Sequence, residues 1–214
     1  MSDFSAAVFA LNKDKDKVFP FLTKGDYFIQ YNEMWVGKLS SDDMEEDINP
    51  QIFALSKEIP LLRIVHAEDH GFWMHVLFEG EIKFQFEVSY EVGAELYGQI
   101  AYELYGDIEW YFDEEKRKIV GGKVAEHPDL INANKVFFGG INEESLTVLD
   151  IFGFDSETIK IISDILTVEN FEKDPHEMVS NLLDSLGLTY FSFVAHNYFS
   201  HGDDDRYVLL NPAD

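Results

Sequence analysis

The sequence predicts an α+β fold: an antiparallel sheet around a central three-stranded meander at residues 61–90, packed by helices. Residues 142–186 are expected to be mainly helical, and a strand pair is expected at the C-terminal end. Three observations lead there. Ile82, Phe84, Phe86, Val88 and Tyr90 alternate with Lys83, Gln85, Glu87 and Ser89, the period of a strand with one dry face and one wet face. Val92, Leu96, Ile100 and Leu104 recur at every fourth position, as on a helix, and Gly106 is placed to stop it. Hydrophobic residues make up 46% of the 214, enough to build a core in spite of a net charge of −25.

Taken in order, residues 4–11 are apolar with no clear period, so a strand and a short helix fit equally well. Tyr27 to Tyr31 and Met34 to Leu39 read as two short strands around an Asn32-Glu33 turn. The acidic run at 42–47 reads as a loop. Asn49-Pro50 opens a short helix carrying Ile52, Phe53, Leu55 and Ile59, and Pro60 ends it. In the meander, Leu61 to His66 and Phe72 to Phe78 precede the alternating strand. If residue 78 pairs with 82, then Phe72, Met74, Val76 and Phe78 share the core face with Ile82, Phe84, Phe86 and Val88.

A helix is expected over 91–105, with Val92, Leu96, Ile100 and Leu104 inward, and a short strand over Ile108 to Phe112. The chain 1–214 reads as a single domain, and the Gly121-Gly122 break within 113–123 is the one weak boundary. Asn142, Asp155 and Asp174 sit where helix caps belong, and Gly153 and Gly187 where helices stop. The final strands are expected at Leu188 to Phe199 and Arg206 to Asn211.

Composition narrows the function. Forty-one Asp and Glu against 16 Lys and Arg repel phosphate backbones and anionic lipid, so neither nucleic acid nor a membrane is expected as a partner. Such a surface favours a basic protein. No apolar run reaches the roughly 18 residues of a membrane helix, and the opening residues lack the pattern of a signal peptide. With no cysteine there is no disulfide scaffold, thiolate zinc site, iron–sulfur cluster or cysteine nucleophile, and a cytoplasmic setting is expected. Serine-nucleophile and phosphate-loop motifs do not occur.

The leading expectation is therefore a non-enzymatic acidic binding protein, antidote- or adaptor-like, that engages a basic partner without a cofactor. Its candidate binding residues are Arg63, Trp73, His75 and Glu87, which the strand period gathers on the wet face of the meander. The alternative is a metal-dependent enzyme using the His and carboxylates of 66–75 or 196–205. His66-Ala67-Glu68-Asp69-His70 is not the helical zinc-protease motif, because Ala67 stands where the catalytic Glu belongs. In a hairpin, His66 and His75 also point to opposite faces. No catalytic residue and no metal ligand is assigned.

Overall fold

The apolar stretch near the N-terminal end is the middle strand of the sheet. The computed structural model describes residues 4–40, 47–67, 69–106, 109–189, 191, 194–196 and 208–210. The strands are β1 (Phe4–Leu11), β2 (Tyr27–Gln30), β3 (Trp35–Leu39), β4 (Leu61–Ala67), β5 (Gly71–Phe78), β6 (Glu81–Ser89) and β7 (Val208–Leu210). The α-helices among the described residues are α1 (Lys15–Val18), α2 (Pro50–Ser56), α3 (Glu91–Tyr105), α4 (Glu114–Ala125), α5 (Pro128–Phe138), α6 (Glu143–Leu146), α7 (Ser156–Ile165), α8 (Val168–Lys173) and α9 (Pro175–Ser185). The fold is α+β.

Strand order is β6-β5-β4-β1-β3-β2-β7, and every neighbouring pair is antiparallel. β1 pairs with β4 along one edge and with β3 along the other. Ala6, Ala7, Val8, Phe9 and Ala10 are all buried. A strand sealed on both faces has no polar alternation, which is why its sequence carries no period.

The first face packs Phe9, Ile29, Trp35, Leu62, Ile64, Phe72 and Phe86 against α7, α8 and α9. Trp35 is fully buried and its Nε1–H donates to the Leu186 carbonyl at 2.8 Å, which ties β3 to the end of α9. The second face packs Val8, Ala10, Phe28, Val36, Leu61 and Leu77 beneath Ile52 and Leu55 of α2 and beneath Val18. The Asn49 side chain caps α2 by accepting from Gln51 N–H, with Pro50 at the first helical position. A third, smaller core of Leu96, Ile100, Ala101, Val120 and Val124 joins α3 to α4. Among the described residues, no helix is long and apolar enough to cross a membrane.

Several elements depart from the sequence expectations. In the meander, β4 and β5 pair as expected, with Arg63 opposite His75 and His66 opposite Phe72. Between β5 and β6, Glu79 and Gly80 form a two-residue turn with φ of 57° and 77°, which sets Phe78 opposite Glu81. Burial of Phe84 and Phe86 instead requires Val76 opposite Phe84. The one-residue mismatch is absorbed as a bulge at Val76/Leu77, so Leu77 faces Ile82. Phe84, Phe86 and Val88 are buried and Lys83, Gln85 and Glu87 exposed, while Ile82 is shifted off the core face and is 39% exposed.

Residues 109–112 form a 3₁₀ turn, not a strand. The Gly121-Gly122 pair does not break the chain: α4 runs through it, started by Asp113, whose carboxylate accepts from Glu115 and Lys116 N–H. At the C-terminal end, β7 extends the sheet by pairing with β2. The described part of the stretch expected before it is not strand. Leu188, Phe191 and Val194 enter the first-face core, and the Val194 carbonyl accepts from Ala6 N–H at 2.6 Å where β3 no longer runs alongside β1.

The bulge sets a testable contrast. Phe86→Ala is expected to cost about 3–5 kcal/mol, while Ile82→Ala costs less than about 1 kcal/mol. Urea unfolding of the two variants checks it, and equal losses would show that residues 82 and 86 share the core face.

Candidate functional site

The second face of the sheet carries an unusual set of polar residues. Val8 of β1 lies between Lys38 on one neighbour and Arg63 on the other, and Arg63 in turn faces His75. Lys38, Arg63 and His75 are 3%, 2% and 3% exposed. The α2 helix covers the adjacent row, Ala10, Leu61 and Leu77, so the polar row begins one pleat beyond it.

On the β3 side, Lys38 forms an ion pair with Asp26 at 3.2 Å, and Ser40 bonds to both. Burial raises the Asp26 carboxyl, but bonds from the Ser40 hydroxyl and from Thr23 and the charge of Lys38 outweigh it and hold it below 3.8. On the β4 side, Arg63 Nη1 donates to His75 Nδ1 at 3.3 Å, and His75 Nε2–H donates to Glu87 Oε1 at 2.7 Å. This network assigns His75 as the neutral Nε2–H tautomer. Burial lowers the His75 pKa below 6.5; the bond to Glu87 opposes the shift, and the positive charge of Arg63 adds to it.

The four residues selected from the sequence are thus neighbours on one face: Arg63 opposite His75, and Trp73 opposite Glu87. Only part of the group meets solvent. Trp73 is half-buried and the Glu87 side chain is 44% exposed, while Arg63 and His75 lie inside. The face therefore offers a partner one indole and one carboxylate, with the cation held beneath.

The histidines of 66–75 separate as the hairpin dictates. His66 sits on the first face, edge-on to Phe72, and His75 on the second. His70 pairs with Glu91 at the start of α3. His196 bonds to the Gly25 carbonyl at 2.8 Å, and the stretch 197–205 lies outside the described residues. Among the described residues, no three His, Asp or Glu side chains are placed to share a metal ion.

A second surface stands out by exposure. On α3 Tyr102 is 71% exposed, and in the 109–112 turn Tyr111 is 56% and Phe112 82% exposed. The rings of Tyr111 and Phe112 continue a ladder from the half-buried Tyr97 and Trp110: Tyr97–Trp110 at 5.4 Å, Trp110–Tyr111 at 5.7 Å and Tyr111–Phe112 at 5.6 Å. From residue 91 to 115 the sequence has eight Asp and Glu and no Lys or Arg. Sequence reasoning missed this surface because it took Leu104 as inward and treated 108–112 as a strand. Leu104 is 42% exposed, and Ala101 closes the core in its place. The missed signal was four consecutive residues, Glu109-Trp110-Tyr111-Phe112, in a stretch too acidic to bury all three rings.

The buried histidine makes stability depend on pH. Below pH 6.5 the unfolded chain takes up a proton at residue 75 that the native ring resists, so stability is full above that value and falls as pH drops below it. His75→Gln keeps a donor toward Glu87 and an acceptor toward Arg63 and is expected to flatten this dependence. Urea midpoints at roughly pH 7.5 and 5.5 check it; an unchanged slope in the variant would show that His75 is not its source.

No protein-family model matches the chain, nor does any curated protein or solved structure.

Proposed function

We propose that this protein is a non-enzymatic binding protein that captures a basic partner on the surface formed by α3 and the 109–112 turn. The observation that carries the reading is the exposure of Tyr102, Tyr111 and Phe112 within residues 91–118, where eight carboxylates outnumber the three cationic residues Lys116, Arg117 and Lys118. Exposed aromatic rings are the side chains that dominate binding energy at interfaces. Their faces also attract guanidinium and ammonium groups, as the Lys116 ammonium does at 5.0 Å from the Tyr105 ring. The surrounding carboxylates supply the complementary charge, and the overall −25 speeds the encounter. Trp73 and Glu87 repeat the same pairing of ring and carboxylate on a smaller scale.

A fluorescent decapeptide rich in Arg and Lys, with its Glu-substituted counterpart as control, tests the reading by polarisation. The basic peptide is expected to bind, and its affinity to fall as salt rises from about 0.05 to 0.5 M. The Tyr102→Ala/Phe112→Ala variant keeps every charge and is expected to lose about tenfold or more in affinity. Affinity that ignores both salt and the aromatic substitutions would overturn the reading. A loss with salt alone would reduce it to unspecific attraction between a polyanion and a polycation, which also counts against it.

A further inference from the structure

α9 has two distinct faces. Met178, Val179 and Leu182 are buried in the core, while His176, Ser180 and Asp184 succeed one another every four residues on the exposed side, about 6 Å apart. That polar ridge is one wall of an open cleft of about 340 Å³. His66, near the end of β4, and Thr189, just beyond α9, contribute to the rest of the rim. Leu183, Leu188 and Phe191 supply an apolar floor continuous with the first-face core. Both imidazoles are set by packing: His66 lies edge-on to Phe72 at 6.1 Å and His176 edge-on to Tyr90 at 5.2 Å.

The volume falls within the range of small-molecule sites, and an apolar floor with a few converging polar groups is their usual composition. The described lining holds one carboxylate, two imidazoles and two hydroxyls, with no Lys or Arg. Asp184 has no ion-pair partner among the described residues. A carboxylate in a protein of charge −25 disfavours an anion. A bare metal ion does not suit the cleft either, since no three ligating side chains among the described residues converge.

We infer that this cleft binds a small organic cation, its ammonium on Asp184, its apolar body on Leu183, Leu188 and Phe191, and its hydrogen-bonding groups toward Ser180 and Thr189. The site is separate from the α3 surface, and the two readings stand or fall independently.

Phenethylamine, with phenylacetate as its anionic counterpart of similar shape, tests the inference by calorimetry or saturation-transfer NMR. The amine is expected to bind several-fold more tightly than the acid. Asp184→Asn is expected to weaken the amine by about two- to fivefold, the loss of one solvent-exposed ion pair. Ser180→Phe places a ring inside the cleft and is expected to abolish binding. Both positions are exposed on α9, so neither change touches the core. The Tyr102→Ala/Phe112→Ala variant is expected to bind the amine like the native protein, which separates this site from the surface for a basic partner. Equal binding of amine and acid, or amine affinity unchanged in both α9 variants, would overturn the inference.

Discussion

β1 has no wet face, and the rest of the molecule is arranged around that constraint. Ala6 through Ala10 are sealed above and below and bonded along both edges, so the sheet must extend in both directions and be roofed on both sides. The chain meets the first demand by dividing its strands: β2 and β3 build outward on one side, and the β4–β6 meander on the other. It meets the second unequally. The helices from α6 to α9 roof the first face broadly, whereas α2, residues Pro50–Ser56, shelters only a strip of the second. The polar row of Lys38, Arg63 and His75 occupies the pleat next to that strip.

Burying cations there has an electrostatic logic. A charged group inside a protein is costly unless paired, and removing one partner of a buried pair is strongly destabilising, by about 3–5 kcal/mol. Lys38 is paired with Asp26 and bonded to Ser40; Arg63 donates a hydrogen bond to the neutral His75 ring, which is itself held by Glu87. Lys38 is thus neutralised by the equally buried Asp26, and the outward end of the Arg63–His75 chain is the Glu87 carboxylate.

Where a local pattern met a single environment, the sequence was legible. β6 showed its two faces because one is dry and one is wet, and the caps at Asn49, Asp155 and Asp174 were readable because they satisfy only their own helix ends. Features decided by two competing local demands were not. Ile82 fits the alternation perfectly, yet the Glu79-Gly80 turn sets a different parity and the bulge resolves the conflict against it. Gly121-Gly122 is a breaker by propensity, but the Asp113 cap and burial of Val120 and Val124 carry α4 through it. The four residues Arg63, Trp73, His75 and Glu87 could be placed on one face from period alone. Which of them reach solvent depends on how far α2 extends across the sheet, and no strand period contains that. The cleft beside α9 was invisible for a similar reason: His66 and Asp184 are brought to one place only by tertiary packing on the first face of the sheet.

The small core between α3 and α4 has a consequence for how the molecule opens. Leu96, Ile100, Ala101, Val120 and Val124 hold this unit together, against the far larger clusters on either face of the sheet. Cooperative units with little buried apolar surface open at lower free energy than the global unfolding event. Amide hydrogens of α3 and α4 should therefore exchange through partial openings that leave β1 fully protected. A ligand gripping Tyr102 and Phe112 binds only the closed form of this unit, so occupancy slows those openings and is reported as protection on α3 and α4 while the sheet stays silent.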